Sequence, residues 1–443
     1  MSFLTPEITI ALMFLSVVVG ITLGYYLAFI LTTVGLVFGV ILVGDRYIGV
    51  LINSIFSTMT NSVLLAIPLF ILMGNIMQHT GAGDRIFSSL YVLFGRLRGG
   101  LLIATNALAT IFATVTGVVG ASVVTVGTLS LPALLERKYD RKLSAGVICA
   151  GGGLGVLIPP SILIVVYGPV AGVSVGSLFM AAIVPGLLLS LVYTIYVLVR
   201  CFLNPELGPP ISVEDRKAEI ERVGLGGLIF AIVPPVLIVL AVLGTIFFGI
   251  ATPTEAAAVG VLAALLLGLC YRTLSFEKMS ESLTSTLKTT CMILTMTVGA
   301  VTFISTFASV GGHAVVKNLV LDIPLGPWGI LILMLVVITI LTMFLDWIGI
   351  VYLVVPLFTP IALELGFDPV WYAMLVILFL QLGYLTPPFA LSIFYFRAIA
   401  PPDFLMMDLY KSVMPFIGLQ LIVFVLVMVF PQIVLWLPTL MLR

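Results

Sequence analysis

Gly151, Gly152, Gly153 and Gly155 are followed by the adjacent prolines Pro159 and Pro160, all inside an apolar span where a helix should run unbroken. Glycine lowers helix stability, and proline removes an amide donor and clashes with the preceding turn. The span must therefore come apart into two half-helices joined by extended backbone. The surroundings are lipid. With 61% hydrophobic and 9% charged residues over 443 positions, the chain lies far from soluble domains, which carry about 25% charge. Irregular backbone at membrane depth survives only where protein buries it or where it lines a watery cavity, so the break itself points to a binding site.

The break occurs twice. Leu382, Gly383, Leu385, Pro387 and Pro388 repeat Leu154, Gly155, Leu157, Pro159 and Pro160 at a spacing of 228 residues. The same spacing pairs Leu163 with Leu391 and Tyr167 with Tyr395, and runs back without a gap to Pro132 and Pro360, Glu136 and Glu364, and Asp140 and Asp368. The chain holds two copies of one unit.

Hydropathy then divides it. Residues 1–80 are expected to be scaffold helices, with the apolar run from Ile8 to Val43 split near Gly20–Gly24 and a further span from Asn61 to Gln78. The first Lys or Arg is Arg46, so the apolar start lacks a basic leader and is expected to be the first span. Residues 81–199 form a first repeat: an amphipathic arm, a re-entrant hairpin at 101–136 turning within Thr116–Ser122, the broken helix 143–170, and a closing span. Residues 200–227 are a hydrophilic linker with a short helix, and 228–271 are further scaffold helices. The second repeat, 272–443, contains an amphipathic arm Phe276–Lys288 and a separate helix Cys291–Val310. A hairpin follows at 328–364, turning at Phe344–Gly349, then the broken helix 371–396 and a last span Val413–Leu437. The expected fold class is an all-α polytopic membrane protein with inverted repeats, two re-entrant hairpins and two broken helices.

Charge placement supplies the inversion. If the segments containing Arg85–Arg98, Arg137–Lys142, Arg200–Arg222, Arg272–Lys288 and Arg397–Lys411 face the cytoplasm, then all 19 Lys and Arg residues except Arg46, Lys317 and Arg443 lie inside. That threading puts both termini in the periplasm and runs the two broken helices in opposite directions, the signature of alternating-access secondary transporters. Formal net charge is zero, which offers no field for nucleic acid. Cys149, Cys201, Cys270 and Cys291 show no metal spacing and read as small buried hydrophobes, and the only histidines are His79 and His313. An intramembrane enzyme would need a His, Asp or Glu pair that the spans do not supply. A passive channel fits inverted broken helices less well than discrete alternating sites do.

The residues Ala66–Phe70, Gly95–Gly100, Leu157–Ser161, Thr252–Ala258, Met343–Asp346 and Leu385–Pro388 together resemble the large membrane subunit of tripartite ATP-independent periplasmic (TRAP) transporters, over essentially the whole chain. The resemblance implies a sodium-coupled importer of organic acids in a bacterial inner membrane. It also implies a periplasmic substrate-binding protein and a small four-helix membrane subunit as partners, with elevator movement of hairpins and broken helices against a fixed scaffold. No cofactor beyond coupling sodium ions is implied. The glycine-rich stretch lacks the Lys of a phosphate loop. Two segments depart from the family pattern: the first hairpin tip, Thr116–Ser122, and the bulky Phe389–Phe396. The latter resembles a subgroup associated with 2-oxo acids, mannitol or chloroaromatic acids. A stand-alone sodium- or proton-coupled anion or dicarboxylate carrier of the same superfamily is the alternative.

An anion at the midplane needs positive potential without a stranded Lys or Arg, and half-helix N-termini supply it. Ser161 and Phe389 are expected to open such half-helices, with Pro160, Pro388, Thr116 and Ser122 completing the substrate set. Sodium needs oxygen. Unwound carbonyls at Gly151, Gly153, Gly155 and Gly383, hydroxyls of Thr125 and Thr386, and the second hairpin's Asp346 and Gly349 are the candidates. Asp346 should coordinate a cation, hold its turn by accepting backbone amides, or be protonated; the first two together are favoured. Asn106 is expected to make a helix-packing hydrogen bond, Glu255 to cap a helix, and Arg397 to snorkel to the inner face.

Overall fold

The computed structural model describes residues 5–211, 214, 220–221 and 224–441. The linker helix expected within 200–222 falls largely outside them. What is described of this segment is a strap: Gly208 O accepts from Gly99 N at 2.8 Å and Ile211 N donates to Gly95 O at 2.9 Å, pinning the linker to the mouth of the first hairpin.

The first half runs α1 (Pro6–Thr22), α2 (Leu27–Val43), α3 (Arg46–Met59), α4 (Ala66–His79), α5 (Ala82–Phe94), α6 (Gly100–Thr116), α7 (Val119–Glu136), α8 (Arg141–Gly153), α9 (Ile162–Ala171) and α10 (Val175–Leu203). The second half continues with α11 (Leu225–Phe247), α12 (Pro253–Cys270), α13 (Phe276–Ser309), α14 (Gly312–Leu321), α15 (Gly326–Thr342), α16 (Trp347–Leu353), α17 (Val355–Glu364), α18 (Pro369–Gly383), α19 (Leu391–Ile399), α20 (Met406–Val429) and α21 (Gln432–Met441). Among the described residues seven helices are long and apolar enough to cross a bilayer, and α16 with α17, bent by 52°, adds an eighth.

Packing follows the repeat. Each broken helix lies on its own hairpin, α8 on α6 and α18 on α15. Each second half-helix crosses to the other repeat's hairpin, α9 against α16 and α17, α19 against α7. Each closing span covers the opposite broken helix, α20 on α8 and α10 on α18. This reciprocal exchange is what a two-fold relation between the halves requires, and it buries the breaks at the centre.

Three boundaries differ from expectation. The arm and the following span of the second half are one 34-residue helix, α13, because the stretch from Lys288 to Cys291 holds no glycine or proline to stop it. Its counterpart in the first half is interrupted between α3 and α4, where Asn61 Oδ1 accepts from Val63 N at 3.0 Å and starts a new turn. The first hairpin turns on Gly117 and Val118 alone, Gly117 at φ 60°, so Thr116 and Ser122 are helical. The last span is α20, and Pro431, lacking an amide donor, separates it from α21.

Several single-residue expectations hold. Asn106 Nδ2 donates to Ser190 O and to Thr194 Oγ1, both at 2.9 Å, tying α6 to α10. Thr252 and Glu255 form a reciprocal capping box at the start of α12. Arg397 Nη1 turns back to Pro401 O at 2.9 Å. The cysteines are all free, but only Cys149 and Cys201 are buried as expected; Cys270 and Cys291 are exposed on the surfaces of α12 and α13.

Candidate substrate and ion site

The first break is displaced from where the glycines stand. α8 stays helical through Gly153, a 3₁₀ turn covers Leu154–Val156, and the backbone leaves the helix only from Leu157 to Ser161. Gly151 and Gly153 are therefore not unwound, contrary to expectation. Glycine merely weakens a helix, whereas the proline pair withdraws the donors that would continue it. The glycines serve close approach instead. A Cβ at Gly152 would lie 3.0 Å from the Val123 backbone, and one at Gly151 would lie 2.8 Å from Ala109 Cβ. Hairpin and broken helix touch backbone to backbone.

Around this contact the structure gathers Thr116, Ser122, Gly155, Pro160 and Ser161, all buried. Thr116 Oγ1 reaches Ser122 Oγ at 3.2 Å and Phe112 O at 3.0 Å, and both hydroxyl oxygens lie under 3.8 Å from the Cβ position of Gly155. Ser161 is the N-cap residue of α9, but its hydroxyl donates to Val156 O at 2.7 Å, so the first turn of α9 keeps no side-chain cap. The hairpin tip comes close here: a Cβ at Gly117 would lie 3.3 Å from Ile162 N. Thr125 is half-buried within α7, one helical turn beyond Ser122.

The second break is more open. α18 ends at Gly383, and α19 opens at Ala390, held at φ 45°, rather than at Phe389. The first break re-enters its helix through the extended Ser161 directly after the prolines, whereas the second places the cap one position further on, at the left-handed Ala390. Pro388 and Phe389 are exposed. The Phe389 ring packs edge-on against Phe344 with centroids 6.3 Å apart, and Pro388 O accepts from Tyr410 at 3.2 Å. Thr386 Oγ1 is spent on Leu382 O at 2.8 Å. Gly383 packs directly on Thr342 of α15, and Gly349 sits within α16 against Leu27.

Asp346 stands at the N-cap of α16, yet its side chain makes no capping hydrogen bond to the backbone. Its partner is the Tyr384 hydroxyl, which donates to Oδ1 at 3.4 Å. The carboxylate is exposed to a cavity of about 230 Å³ closed by Tyr25 and Tyr26 between α1 and α2 and by Met292 and Met296 of α13. Tyr352 and Thr297, 2.8 Å apart and buried, form a direct polar link between this hairpin and α13.

Where the two breaks meet, Gln381 comes closest to Gly153, its counterpart at the 228 spacing. Equivalent residues of a two-fold pair touch only on the axis, so the axis passes here. Gln381 was not singled out from the sequence by its side chain, though a lone carboxamide in the apolar α18, opposite a glycine, was the available signal. At the start of α8 Lys142 Nζ pairs with Asp408 Oδ1 at 2.8 Å and Arg141 with Asp403, clasping the two repeats together.

The family described as "Tripartite ATP-independent periplasmic transporter, DctM component" matches residues 10–433. The C4-dicarboxylate TRAP transporter large permease protein DctM of Pseudomonas aeruginosa is 31% identical over 387 residues, covering 87% of this chain and 88% of that one. The ectoine TRAP transporter large permease protein TeaC of Halomonas elongata is 32% identical over 396 residues, covering 89% and 90%. The sialic acid TRAP transporter large permease protein SiaM of Vibrio cholerae is 32% identical over 383 residues, covering 86% and 87%. Among solved structures the Alcanivorax borkumensis YdaH transporter superposes with a TM-score of 0.60 at 13% identity, covering 90% of this chain and 95% of that one; at that identity the likeness speaks for the fold alone. Matched along nearly its full length to relatives that are permeases rather than enzymes, the chain belongs to the TRAP transporter family as a large permease subunit.

Proposed function

We propose that this subunit imports a small organic acid by sodium-coupled alternating access, in a bacterial inner membrane, with both termini periplasmic. A periplasmic binding protein delivers the substrate and a small four-helix membrane subunit completes the translocating unit. The observation that carries the reading is the pair of broken helices brought end to end across a two-fold axis, each with a hairpin tip against it. Such a centre offers helix N-termini and hydroxyls to a carboxylate, and helix C-termini and an acidic hairpin tip to a cation. Pro160, Ser161, Thr116, Ser122, Pro388 and Phe389 bind the substrate. Asp346, Thr125, Thr386 and the backbone of Gly155 and Gly383 serve the ions.

The movement is an elevator: hairpins, broken helices and closing spans travel together against α1–α4 and α11–α13. Two features support this division. The repeats are clasped to each other by the Arg141–Asp403 and Lys142–Asp408 pairs, while the tip of the second hairpin faces α1, α2 and α13 across the cavity that holds the Asp346 carboxylate. The test is uptake into proteoliposomes holding this chain, with and without the small subunit and the binding protein, under imposed sodium gradients. Uptake that needs both partners and an inward sodium gradient is expected. Uptake by this chain alone would establish the stand-alone carrier instead, and indifference to sodium would overturn the coupling.

A further inference from the structure

The side chain of Gln381 is fully buried, and neither its Oε1 nor its Nε2 makes a hydrogen bond with any protein group. A buried carboxamide left unpaired costs about 1–3 kcal/mol, so a chain that retains one at membrane depth has another use for it. The amide is aimed at the glycine stripe of the opposite broken helix. A Cβ built on Gly153 would find Gln381 Nε2 at 3.7 Å and Cγ at 3.9 Å and nothing nearer, whereas Gly151 and Gly152 are packed tight. Above Gly153 there is thus room for one methyl-sized guest, with a carboxamide facing it.

The electrostatics of that point select the guest. Gly153 is the last residue of α8, and Gln381 lies in the last turn of α18, so two helix C-termini converge on it. Each carries roughly half a negative charge. An anion is repelled there, and an organic substrate does not fit. Rotating the amide end for end exchanges Oε1 and Nε2, so the oxygen can be presented to the same space. We propose that Gln381 is a ligand for a small monovalent cation held between the two repeats at Gly153, with the Gln381 carboxamide oxygen and the α8 and α18 C-terminal ends as its field. Resting on the sodium-coupled reading above, the assignment adds a cation position on the two-fold axis itself, shared by both repeats rather than belonging to one hairpin tip.

The experiment is thermal unfolding of the full chain in detergent, titrated with sodium chloride against choline chloride at constant ionic strength. Sodium should raise the melting temperature of the wild type. Gln381→Leu and Gly153→Ala should each raise the sodium concentration for half of that shift by about tenfold or more. Gly153→Ala, which meets no atom within 3.6 Å, should keep or raise the melting temperature in choline, and it carries the test if Gln381→Leu fails to fold. The proposal is overturned if the wild type does not distinguish sodium from choline. It is likewise overturned if Gly153→Ala leaves the titration unchanged, or if the variants shift melting equally in both salts, as a bound water would require. Because this readout needs neither partner nor transport, its failure leaves the dependence of uptake on the binding protein untouched.

Discussion

Replacing Tyr352 by Phe deletes one hydroxyl at the contact between α16 and α13. The bond it makes with Thr297 is 2.8 Å long, and both residues are buried. Thr297 Oγ1 also bonds Ile293 O of its own helix at 2.9 Å, so the substitution strands no polar group. The loss is therefore that of one ordinary hydrogen bond, about 0.5–1.5 kcal/mol. If the second hairpin travels along α13, this bond exists in one arrangement only, and its removal should shift the population away from that arrangement by about two- to tenfold. A disulfide between Leu27→Cys and Gly349→Cys reports the population. These positions touch across α2 and α16, and trimming Leu27 makes the room that a Cβ at Gly349 needs. In a background with the four native cysteines replaced by Ser, Tyr352→Phe should slow cross-linking by that factor. An unchanged cross-linking rate together with a lowered melting temperature would mean that Tyr352 is static packing, and the sliding surface would have to be sought elsewhere.

Gly152→Ala would drive a methyl into Val123 of the first hairpin and should lower stability by about 1–3 kcal/mol, measured by thermal melting; a neutral result would mean the hairpin and broken helix are not in backbone contact. Asp346→Ala should raise the sodium concentration for half-maximal uptake at least several-fold while leaving membrane expression intact; unchanged sodium dependence would refute its assigned role. Thr252→Ala removes the capping box of α12 and should cost about 1 kcal/mol of stability with transport preserved in the surviving protein.

The repeat was readable because Pro159–Pro160 and Pro387–Pro388 share one spacing with the residues around them; a proline pair alone does not decide a break, since α11 runs on through Pro234 and Pro235. The cap at Glu255 was readable because the Thr252–Glu255 pair acts locally. The glycines misled. Their backbone freedom suggested unwinding at Gly151 and Gly153, but both stay helical, and it is Gly151 and Gly152 that use the missing side chain for close packing on Ala109 and Val123. Ser161 and Thr386 were correctly located at the breaks, yet nothing local reveals that their hydroxyls are taken by Val156 O and Leu382 O. Gln381 was hidden because its meaning depends on facing Gly153 across the axis, a relation no single stretch contains.

The central claim is that the two hairpins enter the membrane from opposite sides. Leu97 and Leu325 are equivalents at the 228 spacing, both exposed, just before α6 and α15. Single-cysteine variants at these positions, labelled in intact cells with a membrane-impermeant maleimide, should react at Leu325→Cys only, and Leu97→Cys should react only after the membrane is permeabilised. Labelling of both from the same side would contradict the inverted arrangement and the alternating access built on it.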